Sequence, residues 1–255
     1  MSKIKIENLS KVYNSRSGRV SALEDVNLEI GQNEFITLAG PSGCGKSTLL
    51  KIIGALVRPS RGNLLFDNEV LLKPTRDVGI VFQEPVLLPW RTALENVLLP
   101  AEILGLNADS SRTRAMELLN LVGLKGFEAS YPRELSGGMQ QRVAISRALI
   151  HNPSVLLMDE PFAALDAMTR EELGFELLRI WDTYKKTVIF VTHNIGEAIL
   201  LADRVVAMSP RPGRIAKILK IDLPRPRTLD MEFTKEFKAY SDQIRSVIYH
   251  GASVR

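Results

Sequence analysis

The sequence predicts an α/β fold. It has a core with a mainly parallel central sheet, an antiparallel β subdomain near its start, and a helical subdomain inserted between two core strands. Three observations carry this. An apolar strand, Glu34–Ala39, runs through the glycine-rich stretch Gly40-Pro41-Ser42-Gly43-Cys44-Gly45-Lys46-Ser47-Thr48 into a helix-like pattern, Thr48–Leu56. Two later runs, Val155–Glu160, apolar until its two closing carboxylates, and Thr187–His193, show no alternation, the mark of strands covered on both faces of a parallel sheet. Between strand-like segments ending at Gln83 and beginning at Val155, the pattern turns helical and is punctuated by prolines.

Taken in order, Ile4–Leu9 alternates as a half-buried strand, and Val20–Ile30 alternates loosely. Tyr13 is placed in the loop between them. Gly62–Asp67 and Val70–Leu72 read as a hairpin, and Asp77–Phe82 as a buried strand. Helices are expected at Ala93–Leu104, Ser111–Val122 and Gly137–Ile150, with Pro132 breaking the chain before the last. Helices Ala167–Tyr184 and Ile195–Leu201 follow the two unbroken strands. Strands Arg204–Met208 and Arg214–Leu219 come next, then an extended linker, Pro224–Arg227, and a polar surface helix over Glu232–Tyr249. The expected domain covers 1–227, with 1–83 and 151–227 as core and β subdomain and 84–150 as helical subdomain; 228–255 forms a tail.

The 255 residues, 45% hydrophobic and 24% charged, suit a globular protein with a sizeable core. Met1–Lys5 alternates in charge, so no signal peptide is expected, and no apolar run approaches a bilayer's thickness. Cys44 is the only cysteine, which excludes an internal disulfide. The net charge of +4 is mild but uneven: Arg211, Arg214, Lys217, Lys220, Arg225 and Arg227 stand against one acid, Asp222. Such a stripe could meet nucleic acid or an anionic surface; a solvated strand pair is the simpler reading.

The stretch Gly40–Thr48 reads G-x-x-x-x-G-K-S, a phosphate-binding loop. Its glycines let the backbone curl with N–H groups inward, and the following helix adds a partial positive charge. Lys46 is expected to reach the terminal phosphates and the Ser47 hydroxyl to ligate Mg²⁺. The chain therefore binds a nucleoside triphosphate. Ligands of open parallel sheets sit at the carboxyl ends of strands. Here four buried strands end in chemistry: the phosphate loop, Gln83, Asp159-Glu160 and His193. Burying adjacent carboxylates is costly unless a cation or a reaction uses them. Asp159 is expected to support Mg²⁺ and Glu160 to polarise the attacking water as general base. Gln83 can approach metal and water, and His193 can bond the terminal phosphate or orient the water. Leu135–Arg142 then offers Ser136 as a helix cap, with Gly137 and Gly138 exposing the first backbone N–H groups, a second anion-binding helix start.

With these motifs in this order, together with Ala163-Ala164-Leu165-Asp166, the chain resembles the ATP-binding subunit of an ABC transporter over about 35–205. The resemblance implies a P-loop ABC ATPase using ATP and Mg²⁺. It implies a head-to-tail dimer in which Ser136, Gly137 and Gly138 of one copy cap the γ-phosphate held by Gly40–Thr48 of the other, with Asp166 near the seam. It makes Tyr13 the adenine-stacking aromatic. Two positions depart from the common pattern: Met139, where many members have Gln, and Asn194, where Asp is common. The segment Phe82–Thr92, with Met208–Ile215 and Leu223–Arg227, resembles importers for nitrate, sulfonates and taurine. That implies docking on transmembrane permease subunits through Leu87, Leu88 and Trp90, at the cytoplasmic face of the membrane, with an external solute-binding protein and no nucleic acid. An ABC ATPase acting on nucleic acid or ribosomes is the alternative. A nucleotide kinase or GTPase would leave 135–142 unexplained.

Overall fold

The computed structural model describes residues 2–15 and 18–250. The chain packs as two compact units, one formed by Met1–Thr75 with Thr187–Arg255 and the other by Arg76–Lys186.

In the first unit, β1 (Ser2–Ser15) pairs antiparallel with β2 (Gly18–Gly31) on one side and with β4 (Arg61–Phe66) on the other. The two-residue β5 (Glu69–Val70) completes the sheet order β2-β1-β4-β5. Ile4 and Ile6 point inward in alternation, but the next core residue is Leu9. The reason is an irregularity in register between Ile6 and Leu9, where Asn8 takes φ 48°. Opposite it, Gly62 lies so close that a Cβ would stand 2.4 Å from the carbonyl oxygens of Glu7 and Asn8.

The same unit holds β3 (Phe35–Ala39), buried at every residue. It lies parallel between β8 (Thr187–Thr192) and β9 (Arg204–Met208), and β10 (Ile215–Lys220) runs antiparallel on β9. Helix α1 (Lys46–Ile53) follows β3, and α6 (Ile195–Leu201) follows β8. The Thr37 hydroxyl donates to the Ala198 carbonyl at 3.0 Å, tying α6 to β3 inside the core. The described residues end with a 3-10 turn (Leu229–Phe233), α7 (Lys235–Arg245) and a π-helical turn (Ser246–His250), in place of one helix from 232 to 249.

In the second unit, β6 (Val78–Val81) and β7 (Val155–Asp159) are parallel. Around them stand α2 (Ala93–Ile103), α3 (Ala108–Leu121), α4 (Gly137–Leu149) and α5 (Ala167–Tyr184). The expected helical insertion thus lies within a unit that also includes β6, β7 and α5. Gly79 lets α4 close on β6, since a Cβ there would meet the Ala148 carbonyl oxygen at 2.4 Å. Helix α2 starts with a reciprocal cap: Glu95 N donates to Thr92 Oγ1 (3.3 Å) and Thr92 N to Glu95 Oε2 (2.8 Å).

Two expectations need correcting. Tyr13 is not in a loop: β1 continues past its irregularities and pairs Tyr13 with Val20. Pro224–Arg227 is more than a linker. Arg227 is 4% exposed and donates to the carbonyls of Ile199, Leu200, Ala202 and Ile221 at 2.6–3.2 Å. It closes the C-terminal end of α6, and burial pulls its pKa down to about 10.

Candidate nucleotide site

The phosphate loop leaves β3 at its carboxyl end. Gly43 (φ 74°) and Gly45 (φ 104°) hold left-handed backbone that a side chain would strain. At Gly45 a Cβ would also stand 2.7 Å from Leu23 Cδ2 and 2.8 Å from the Ala22 carbonyl oxygen. Gly45 is the N-cap of α1, and no side chain caps that end, so the first N–H groups of α1 are turned toward the loop. Lys46 is buried, its ammonium donating to the carbonyls of Gly40 (2.9 Å) and Pro41 (3.2 Å). Pro41, Ser47 and Thr48 are half-buried, Ser42 is exposed, and Cys44 lies inside at 1% exposure.

Residues 209–213 brace this loop from outside, which the sequence reading missed. Arg211 Nε donates to the Gly43 carbonyl at 3.2 Å, and Gly213 packs so tightly that a Cβ would fall 1.9 Å from the Cys44 carbonyl oxygen. Gly213 also exchanges backbone bonds of 3.0 Å with Ala22 and Glu24. The visible signal was a glycine between Pro212 and Arg214 beside the last strand pair; nothing local pointed it at the loop.

His193 is brought to the same place. Ala39 of β3 pairs with Thr192 of β8, so the phosphate loop and exposed His193 leave adjacent parallel strands in register. The turn after His193 is built from its own side chains. Asn194 N donates to Thr192 Oγ1 (3.0 Å), Thr192 Oγ1 donates to Glu197 Oε2 (2.6 Å), and Asn194 Oδ1 caps α6 by accepting from Glu197 N (3.2 Å). Asn194 therefore serves as the N-cap at the position where Asp is common. Tyr13 is 39% exposed, with Lys11 Nζ 4.9 Å from its ring centroid.

In the second unit the same logic joins another pair. Val81 of β6 lies beside Met158 of β7, so Gln83 and the carboxylates Asp159 and Glu160 leave neighbouring parallel strands at the same end. Asp159 is 9% exposed; Glu160 is half-buried and takes φ 45°. That left-handed conformation in a non-glycine residue stores strain of about 1 kcal/mol, a cost commonly found at functional positions. Gln141 Nε2 donates to the Phe82 carbonyl at 3.4 Å, linking α4 to the end of β6.

Ser136 caps α4, its hydroxyl accepting from Met139 N at 3.2 Å. The two glycines differ. Gly137 is exposed, and a Cβ there would meet only Leu165 Cδ2 at 3.9 Å. Gly138 is buried, and a Cβ would stand 2.7 Å from Thr169 Cγ2. Asp166 caps α5, accepting from Thr169 N (3.0 Å) and Thr169 Oγ1 (2.7 Å); these bonds lower its pKa. Arg142 ties α4 to its surroundings through Glu176 (2.5 Å) and the Val122 carbonyl (2.7 Å), and burial raises the Glu176 pKa.

The segment 84–92 is clamped. Buried Asn96 accepts from Leu88 N (2.8 Å) and donates to the carbonyls of Leu88, Arg91 and Thr92, while Arg147 donates to those of Pro85 (2.6 Å) and Val86 (2.8 Å). Trp90 is nevertheless 70% exposed; Leu87 and Leu88 are half-buried. The basic stripe of 211–227 is used within the chain. Beyond Arg211 and Arg227, Arg214 pairs with Glu24, Lys217 with Gln243, Lys220 with Asp222 and Arg225 with Asp203.

Among the described residues no helix is long and apolar enough to cross a membrane. The family model described as ABC transporter matches residues 23–163. An uncharacterized ABC transporter ATP-binding protein of Methanocaldococcus jannaschii is 50% identical over 96% of this chain and 91% of its own. The aliphatic sulfonates import ATP-binding protein SsuB of Bacillus cereus is 47% identical over 92% of both chains. A bacterial ABC transporter cassette, solved as a dimer and as a dimeric post-hydrolysis state with ADP and Pi, superposes with TM-score 0.77 at 38% identity. That similarity covers 87% of this chain and 100% of the cassette. The chain belongs to the ABC transporter family, as an ATP-binding subunit with the α/β fold of an ABC ATPase.

Proposed function

We propose that this ATPase powers import of a small solute of the sulfonate, taurine or nitrate kind through a partner membrane permease, to which it attaches from the cytoplasmic side. The observation that carries the reading is the 47% identity, over nearly the whole of both chains, to a protein named for aliphatic sulfonate import. The clamped segment 84–92 supports it. A fixed loop showing Trp90 and Val86 to solvent is suited to docking on a permease, since exposed apolar side chains on rigid backbone mark interaction sites. Arg227 is buried and Arg211 is bonded to the phosphate loop, so the run 211–227 is less of a free basic stripe than the nucleic-acid alternative would use. A solute-binding protein outside the cell would deliver the cargo to the permease.

In this reading Gly40–Thr48 cradles the phosphates, Lys46 neutralises them and Tyr13 stacks on the adenine. The donors assigned to Mg²⁺ are the Ser47 hydroxyl, the Gln83 amide oxygen and the Asp159 carboxylate, all hard oxygens. Among the described residues no group of three or more His, Cys, Asp or Glu is placed to hold a metal. A few protein oxygens completed by phosphates is the pattern that Mg²⁺ favours. The ion, when bound, neutralises charge on the phosphate oxygens. Glu160 takes a proton from the attacking water, Gln83 orients that water, and His193 bonds the terminal phosphate. Ser136, Gly137 and Gly138 act on the nucleotide of a second copy of this chain.

Glu160→Gln tests the assignment. Hydrolysis is expected to fall at least ~100-fold, the general-base contribution, with ATP binding retained and an ATP-bound dimer trapped. Hydrolysis at the wild-type rate would remove Glu160 from the mechanism. For the cargo, ATPase activity in vesicles carrying the permease is measured with the binding protein and a panel of alkanesulfonates, taurine and nitrate. No response to any of them would overturn the import class named.

A further inference from the structure

The C-terminal segment is anchored rather than trailing. On α7, Phe237 is 6% and Ile244 0% exposed. Tyr240 Oη accepts from Asp222 N (3.1 Å), and Gln243 Oε1 from Lys217 Nζ (2.9 Å). Just before α7, the 3-10 turn is clipped by Thr234, whose hydroxyl donates to the Met231 carbonyl (2.6 Å) and accepts from Phe237 N (3.2 Å). Glu232 is therefore held on fixed backbone.

What it is held against is the turn that carries His193. A Cβ built on Gly196 would stand 3.2 Å from Glu232 Oε1 and 3.2 Å from Asn194 Oδ1. A side chain there would crowd both oxygens, so glycine lets the carboxylate and the cap lie close together at this point. His193, Asn194 and Gly196 line a groove of about 900 Å³ together with Glu232, Phe233 and Lys235. The turn is fixed by Thr192 and Glu197, as described, and Glu232 lies against it at Gly196.

We infer that Glu232 is a positioning residue for His193. Its carboxylate, supplied by the C-terminal segment, holds the histidine turn in the geometry that hydrolysis requires, so the segment sets the rate of the chemical step. A carboxylate packed on the turn constrains the backbone that carries the ring, and so where His193 is presented, without touching substrate itself. The inference rests on the proposed role of His193 at the terminal phosphate. It gives residues 229–245 a task in catalysis.

The test uses the full-length protein and steady-state ATP hydrolysis over a range of ATP concentrations. Glu232→Gln keeps the volume and removes the charge. Its kcat is expected to fall about tenfold, the scale of lost second-layer partners, with KM for ATP within about twofold of wild type. Glu232→Asp restores the charge with a shorter reach and recovers a large part of the loss. Phe233→Ser, at the 89%-exposed neighbour, leaves kcat unchanged. In a His193→Ala background, Glu232→Gln adds no further loss, as expected of residues acting as a unit. A Glu232→Gln kcat within about twofold of wild type, or a full additional loss in the His193→Ala background, overturns the inference alone. Wild-type hydrolysis by His193→Ala overturns the parent assignment, and this one with it.

Discussion

Two helix starts are proposed as anion sites in this chain, and they are built in opposite ways. At α1 no side chain caps the helix. Its first N–H groups are presented by left-handed Gly43 and Gly45, with a buried lysine inside the loop and residues 209–213 bracing it outside. At α4 Ser136 already satisfies one N–H, Gly137 is open to solvent, and Gly138 is glycine because Thr169 leaves no room. The first start is enclosed by its own chain. The second has a finished inner side and an unfinished outer one. An uncapped helix end walled by its own loop suits an anion held within one molecule; a capped end facing outward suits contact with something else.

Four substitutions test the contrast, from the largest effect to the smallest. Lys46→Ala is expected to weaken ATP binding by at least ~100-fold and to take hydrolysis with it, since the charge-assisted bonds are lost. Equilibrium binding of a fluorescent ATP analogue measures this; unchanged affinity would refute an enclosed site at α1. Gly137→Glu has room for its side chain, so folding and ATP binding by the single chain stay intact. It places a carboxylate where the γ-phosphate of a second copy is proposed, and hydrolysis falls ~100-fold, the scale of a lost transition-state donor. Normal turnover would make the outward face of α4 a plain helix start. Gly138→Ala pushes on Thr169 and costs about 1–3 kcal/mol of stability, read by chemical denaturation. A neutral result would mean that α4 and α5 separate easily there. Ser136→Ala removes the cap for about 1 kcal/mol, a fall in Tm of about 2–4 °C. If Tm falls and turnover at saturating ATP does not, Ser136 is a cap and nothing more.

The sequence was most legible where local rules agree with the fold. Helices α5 and α6 and strand β9 have the bounds that their caps and apolar runs predict, because Asp166 and Asn194 stop the preceding segments by bonding the first turn. Tyr13 was misplaced because the irregular register after Ile6 breaks the alternation that would have extended β1. Arg227 looked like surface charge because a run of basic residues gives no sign of which one turns inward. The brace on the phosphate loop joins residues 168 positions apart, Arg211 and Gly43, and only chain folding brings those together.

By itself the sequence determined most of the elements and the candidates for chemistry. The phosphate loop, the carboxylates ending β7, the histidine after β8 and the cap of α4 are short-range patterns, and they point to chemistry as a set rather than one by one. Tertiary structure decided which strand ends are neighbours, which glycine is open and which is filled, where the basic residues are used, and what stands over the histidine turn. The physical reason is the same in each case. Backbone conformation and capping are set within a few residues, whereas register, burial and ion pairing depend on chain segments far apart in sequence.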